Sequence, residues 1–220
     1  MRRIDLNVDI GEGFPNDAAL LEFATSANVC CGAHAGSWEL TLATIDLCVT
    51  RGVRVGAHPG YPNREDMGRV HPDLTPGEIE ASLRTQLIGF VSACWPAYLK
   101  PHGAWYNELT TPVGGFEALA VADRLAAELG VPLMVLPIVE TQGPKIREGF
   151  ADRAYEPDGS LRPRSSPGAV LEDPAEVRAQ VLRLAESVDS ICLHADTPDA
   201  LAFAELVTKT LRDAGYEVGA

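Results

Sequence analysis

Apolar and polar positions along the chain switch repeatedly between a period of two and a period near 3.6, the mark of short strands alternating with amphipathic helices. Ile4 to Ile10 alternates strictly, and further strands are expected over Ala27–Cys31, Val53–Ala57, Tyr98–Lys100, Leu133–Leu136, Ala151–Ala154 and Ser190–Leu193. Helices are expected over Asp17–Ala24, Trp38–Thr50 and Gly115–Leu129, the last stopped by Gly130. Two more are announced by Thr75-Pro76-Gly77-Glu78 and Asp173-Pro174-Ala175-Glu176, each supplying a cap, a first-turn proline and a third-position glutamate. Thr197-Pro198-Asp199 is a similar opening. The result is about six βα units, which both an α/β barrel and an open doubly wound sheet satisfy. One stretch breaks the rhythm: Glu156-Pro157-Asp158-Gly159 is a turn signal, and a hairpin arm is expected near residues 155–164.

Length and composition narrow the class. The 220 residues suit a single domain spanning 1–220, and 46% hydrophobic with 22% charged residues is ordinary for a chain with a sizeable core. A formal net charge of −13 would repel a phosphate backbone, and no basic patch offsets it, so nucleic acid is excluded as a partner. The longest apolar run, Val131 to Val139, is too short for a membrane span and contains two prolines. The five cysteines form no CxxC pair, and Asp5, Asn7 and Asp9 interrupt any apolar leader, so a cytoplasmic protein with reduced thiols is expected. A homo-oligomer is compatible with all of this.

The chemistry gathers at strand ends. His34, His58, His102 and His194 each follow a predicted strand and precede a turn, and in a barrel those ends meet at one face. Any one of them reads equally well as a structural hydrogen-bonder; four in equivalent places point to one polar pocket. His71, before Pro72, is given no role. Along the first strand Asp5, Asn7 and Asp9 share one face, and carboxylates turned toward a barrel axis are costly unless paired or coordinated. An edge strand with a wet face is the plainer alternative. Glu12, between Gly11 and Gly13, would sit at the mouth of that strand, and Lys100 shares a parity with His102. A divalent metal is compatible with such His and carboxylate side chains, although no HExxH motif or close ligand pair is present. No GxxxxGK[ST] phosphate loop, complete dinucleotide fingerprint or GxSxG elbow occurs.

Five segments in order along the chain carry a resemblance: Ile4 to Gly13, Ser26 to Gly36, Gly56 to Pro62, Lys100 to Asn107 and Phe150 to Tyr155. With them the sequence resembles the LamB/YcsF family. The resemblance implies an α/β fold, a (β/α) barrel, irregular and seven-stranded, related to the glycoside hydrolase/deacetylase barrels. It also implies a catalytic part in an ATP-dependent 5-oxoprolinase, which with subunits B and C opens the cyclic amide of 5-oxo-L-proline to L-glutamate, the ATP being used with Mg by the assembly. The sequence departs from the family pattern at Ser37, Val70 and Ala195.

On this basis Asp9 or Glu12 is expected to act as general base toward water, and a histidine among His34, His58 and His102 as proton donor or oxyanion partner. Lys100 and His194 belong to the same expected catalytic group. Asn7, Tyr61, Arg69, Asn107 and Arg153 are expected to bind the lactam, with Lys100, Arg69 or Arg153 on its carboxylate. Two alternatives are a metal-dependent N-acyl or polysaccharide deacetylase on a similar barrel, and a non-catalytic lactam-binding subunit.

Overall fold

The computed structural model describes residues 2–111, 113, 117–196 and 199–220. Its centre is a parallel sheet built from β1 (Arg2–Ile10), β2 (Ser26–Cys30), β3 (Arg54–His58), β4 (Leu133–Val135), β5 (Lys145–Phe150) and β6 (Ser190–His194). The strands run in the order β3-β2-β1-β6-β5-β4. Leu99 makes parallel bridges to Ala57 of β3 and to Leu133 of β4, so the path closes on itself through the segment around Leu99. The expected irregular (β/α) barrel is thus borne out, with the Tyr98–Lys100 strand reduced to a pair of bridges. A short β7 (Tyr216–Val218) pairs with the first residues of β1, outside the ring.

Alternation on β1 explains the layering. Leu6, Val8 and Ile10 are fully buried in the apolar core beneath the helices. Asp5, Asn7 and Asp9 are turned to the barrel interior, where they meet side chains of β2, β6 and the Lys100 segment. The interior is consequently polar, and it is sustained because its members satisfy one another. Asn28 donates to Asn7, Tyr98 donates to Asn28, and Gly56 has no side chain where the Tyr98 ring packs.

The outer layer comprises α1 (Asp17–Leu20), α2 (Trp38–Thr50), α3 (Pro76–Ala93), α4 (Gly103–Glu108), α5 (Ala118–Leu129), α6 (Pro174–Leu184) and α7 (Ala200–Asp213). The Thr75–Glu78 capping box is formed, Asp173 caps α6 by accepting from the Ala175 amide, and α5 ends on Gly130 at φ +69°. Residues 115 and 197–198, where two helix openings are expected, lie outside the described residues.

Two expectations are corrected, and one helix is unexpected. The fifth strand is Lys145–Phe150, and Ala151–Ala154 is the turn after it. Its Lys-Ile-Arg-Glu opening reads as loop in sequence because Glu148 is charged, yet that side chain is buried against Lys100. The expected Asp17–Ala24 helix stops at Leu20. The helix α4 has no counterpart among the expected elements, since six residues starting at a glycine carry too little periodicity to register. In the region of the expected arm, Tyr155 and Leu161 form an antiparallel bridge around Gly159, whose φ is +87°.

Candidate active site

The carboxyl ends of β1, β3, β5 and β6, the Lys100 segment and the residues after them enclose a cavity of about 380 Å³. Its floor is Asp9, His58, Lys100 and His194; Glu12, His102 and Asn107 form a wall; and Arg69, Arg153 and Arg164 approach from above. Nine of the residues singled out from sequence therefore border one space. His34 does not reach it, lying stacked on His102 with ring centroids 3.7 Å apart. Asn7 lies a tier lower, bound to Ser190 and Asn28, and Tyr61 is fully buried with its hydroxyl 2.5 Å from Glu108. His71 shares that glutamate at 3.0 Å.

An ion network anchors the floor. The Lys100 ammonium lies 2.7 Å from Asp9 Oδ1 and 2.8 Å from Glu148 Oε1, and donates to Cys192 Sγ at 3.1 Å. Tyr106 donates to the other Glu148 oxygen at 3.0 Å. Burial alone would raise the Asp9 carboxyl, but Lys100 with the adjacent His58 holds it well below the usual carboxylate range. Burial would likewise lower Lys100, and Asp9, Cys192 and Glu148 outweigh it, so the ammonium stays charged. Lys100 is thereby committed to the floor itself.

His194 is differently placed. Its Nδ1 is 2.9 Å from the buried Asp152 carboxylate, so Nδ1 carries the proton and donates. Its Nε2 lone pair then faces the cavity, 3.7 Å from Asp9 Oδ2. An imidazole held in one tautomer by a buried carboxylate is the arrangement of a general base. Asp152 completes the pair, although the sequence assigns it no role; its signal is its place in the Phe150–Tyr155 segment that carries the family resemblance.

His58 and His102 are fixed by backbone carbonyls. His58 Nδ1 is 2.8 Å from the Lys100 carbonyl oxygen and His102 Nε2 is 2.8 Å from that of Met67, so each of these nitrogens donates. The remaining nitrogens, His58 Nε2 and His102 Nδ1, face each other at 3.0 Å. Glu12 Oε1 stands 3.4 Å from His102 Nδ1 and 3.4 Å from His34 Nε2. Burial pushes His34 and His102 well below the usual histidine range, so both are neutral near pH 7.

The roof is cationic. Asp196 accepts from Arg69 at 2.5 Å and from Arg164 at 3.1 Å. Arg153 is bound to the carbonyls of Ala169 and Arg162, and burial beside Arg164 lowers it to about 10. Two guanidinium groups on the Asp196 carboxylate, with Arg153 beside Arg164, leave positive charge facing the space below. Arg164 and Asp196 are not singled out by the sequence; Arg164 sits in the irregular stretch after the hairpin turn, where spacing carries no information.

A parallel (β/α) barrel whose polar groups converge at one mouth is the class that fold and site define, and solved structures agree on the fold. The family 4 carbohydrate esterase from Streptomyces lividans in complex with acetate superposes with a TM-score of 0.57 at 14% identity, covering 100% of this chain and 92% of that one, a likeness of fold alone. The "Lactam Utilization Protein" from Thermus thermophilus superposes with a TM-score of 0.83 at 31% identity over 99% of each chain. The model of the LamB/YcsF family matches residues 4–220, and the chain belongs to that family. Relatives named as the A subunit of 5-oxoprolinase are 40% identical in Neisseria meningitidis serogroup B, over the full length of both chains, and 41% identical in Methylococcus capsulatus, over 100% of this chain and 96% of that one. The resemblance carried by the five segments is borne out.

Proposed function

We propose that this chain is the hydrolytic subunit of an ATP-dependent 5-oxoprolinase, opening the ring amide of 5-oxo-L-proline to L-glutamate. The observation that carries the reading is one cavity with a carboxylate-oriented imidazole, His194, at its floor and three arginines at its roof, in a chain whose relatives are named for that activity. A small ring bearing a carboxylate matches this polarity: anion toward Arg69, Arg153 and Arg164, amide toward the floor, with Asn107 on the wall between them.

In the reaction, His194 Nε2 takes a proton from water as its oxygen attacks the amide carbon, and Asp152 stabilises the imidazolium that forms. The developing oxyanion faces the His58–His102 gap, where positive charge would offset it. The C–N bond then breaks, and the proton on His194 goes to the departing ring nitrogen, opening the ring. Asp9 serves as a fixed negative charge that keeps Lys100 in place and favours imidazolium at His194. This shifts the general-base role from Asp9 or Glu12 to His194, because an Asp9 held so acidic is a weak base. The ring-opened product carries the phosphoryl group as an acyl phosphate, which a second water hydrolyses to glutamate and phosphate. That group comes from phosphorylation of the otherwise resistant lactam amide oxygen by ATP and Mg, which would release ADP and make the carbon electrophilic. With no phosphate loop in this chain, that step is assigned to partner subunits B and C. The reading puts the assembly in the cytoplasm, consistent with five free cysteines and with no helix, among the described residues, long and apolar enough to cross a membrane.

The test is reconstitution. This chain mixed with its partner subunits and ATP should convert 5-oxoproline to glutamate, and omission of either the chain or ATP should stop it. Glutamate release by the partners without this chain would refute the assignment.

A further inference from the structure

A neutral imidazole has one N–H and one lone pair. Because the Lys100 and Met67 carbonyls each claim an N–H, His58 Nε2 and His102 Nδ1 present two lone pairs to each other at 3.0 Å. Two acceptors so close repel unless something positive lies between them. The surrounding distances are informative. Glu12 Oε1 is 3.4 Å from His102 Nδ1, and Asp9 Oδ2 is 3.5 Å from His58 Nε2, both long for charge-assisted hydrogen bonds. Ligands at about 2.0–2.1 Å around a tetrahedral cation stand about 3.3 Å apart. The donor atoms of Glu12, His58 and His102 all lie within 4.8 Å of one another, within reach of one such cation.

We infer that Glu12, His58 and His102 form a binding site for one divalent transition-metal cation of the zinc type. Each imidazole already has the outer support such ligands need, a backbone carbonyl on its second nitrogen. The ring of His102 is further backed by His34, and Gly60 and Gly68 permit this packing, since a side chain at either would collide with those rings. The three donors border the cavity or its floor, leaving a position open toward a bound substrate, as catalytic sites do. A second group, Asp9, Cys192 and His194, also brings three donors together, but the Lys100 ammonium sits 2.7 Å from Asp9 and 3.1 Å from Cys192 and would repel a cation there.

The cation would supply the positive charge assigned above to the His58–His102 gap; the inference rests on that reading for its consequence, not for the binding itself. The full-length chain, stripped with chelator and dialysed, is titrated with cobalt(II) or zinc(II), following visible absorption, calorimetry and metal content. One ion per chain is expected, with His58→Ala, His102→Ala and Glu12→Gln each weakening binding at least about tenfold. Glu12→Gln preserves size and hydrogen bonding and keeps the test decisive if losing an imidazole unfolds the barrel. Absence of saturable binding, or binding that these substitutions leave unchanged, overturns the site. Ring opening by a chelated complex containing no bound cation would overturn the cation's part while sparing the proposed reaction; stoichiometric binding in a complex that opens no lactam would do the reverse.

Discussion

Asp5 and Asp9 stand on the same strand and the same face, both buried inside the barrel, yet their surroundings differ in kind. Asp5 accepts short hydrogen bonds from Thr25 at 2.6 Å, Ser26 at 2.7 Å and Ser190 at 2.5 Å, hydroxyls supplied by β2, β6 and the turn before β2. Asp9 is satisfied on one oxygen only, by Asn28 at 2.6 Å and Lys100 at 2.7 Å. Its other oxygen meets imidazoles at 3.5 and 3.7 Å, and it borders the cavity. Burial of a charge therefore does not mark function here. A charge left partly unsatisfied toward an open space does, because a fully bonded one has nothing left to offer a substrate.

Replacing the two aspartates separately sharpens that contrast. Asp9→Asn should lower turnover per folded molecule in the assembled complex by about 10²- to 10³-fold, and should also cost stability, since it leaves the buried Lys100 ammonium to Glu148 alone. Asp5→Asn should cost about 1–3 kcal/mol in urea unfolding and spare the rate of the folded fraction. Equal losses of activity in both would erase the distinction between the two tiers.

At the roof, Arg164→Ala should act on binding more than on chemistry. Losing one charge-assisted contact of about 1.5–3 kcal/mol raises KM by about ten- to a hundredfold, with kcat much less affected. A fall in kcat alone would move Arg164 from substrate holding into the reaction.

An effect confined to alkaline pH comes from a buried group away from the cavity. Burial pushes the Cys30 thiol from the ordinary 9.0 up to about 12. Once the pH passes 9, the unfolded chain releases this proton and the folded chain retains it, so the unfolded state is favoured. The contribution of Cys30 is unchanged below pH 9 and is lost progressively between 9 and about 12. Thermal unfolding of Cys30→Ala and wild type across that range should show the wild type losing more stability.

Much of the barrel is legible because strict alternation over Ile4–Ile10 reads as a strand, and because Thr75 and Asp173 carry side-chain caps that work regardless of context. What stays hidden depends on partners distant in sequence. Glu148 makes sense on a strand only once Lys100 is opposite it, and Leu99 closes the ring through two bridges too short to leave a pattern. The convergence of His58, His102 and His194 follows from their shared position after strands. Their division of labour does not, since tautomers are set by the carbonyls and the carboxylate each ring meets in space. Asn7, expected at the substrate, lies two residues before Asp9 on β1 and is bound to Ser190 and Asn28, and Tyr61 is buried with its hydroxyl on Glu108.

The most direct measurement is glutamate release by the complex assembled with Asp152→Asn or His194→Ala in this chain. If His194, oriented by Asp152, moves the proton, each change lowers the single-turnover rate by about 10²- to 10⁴-fold with substrate still bound. Wild-type rates in both variants would contradict it.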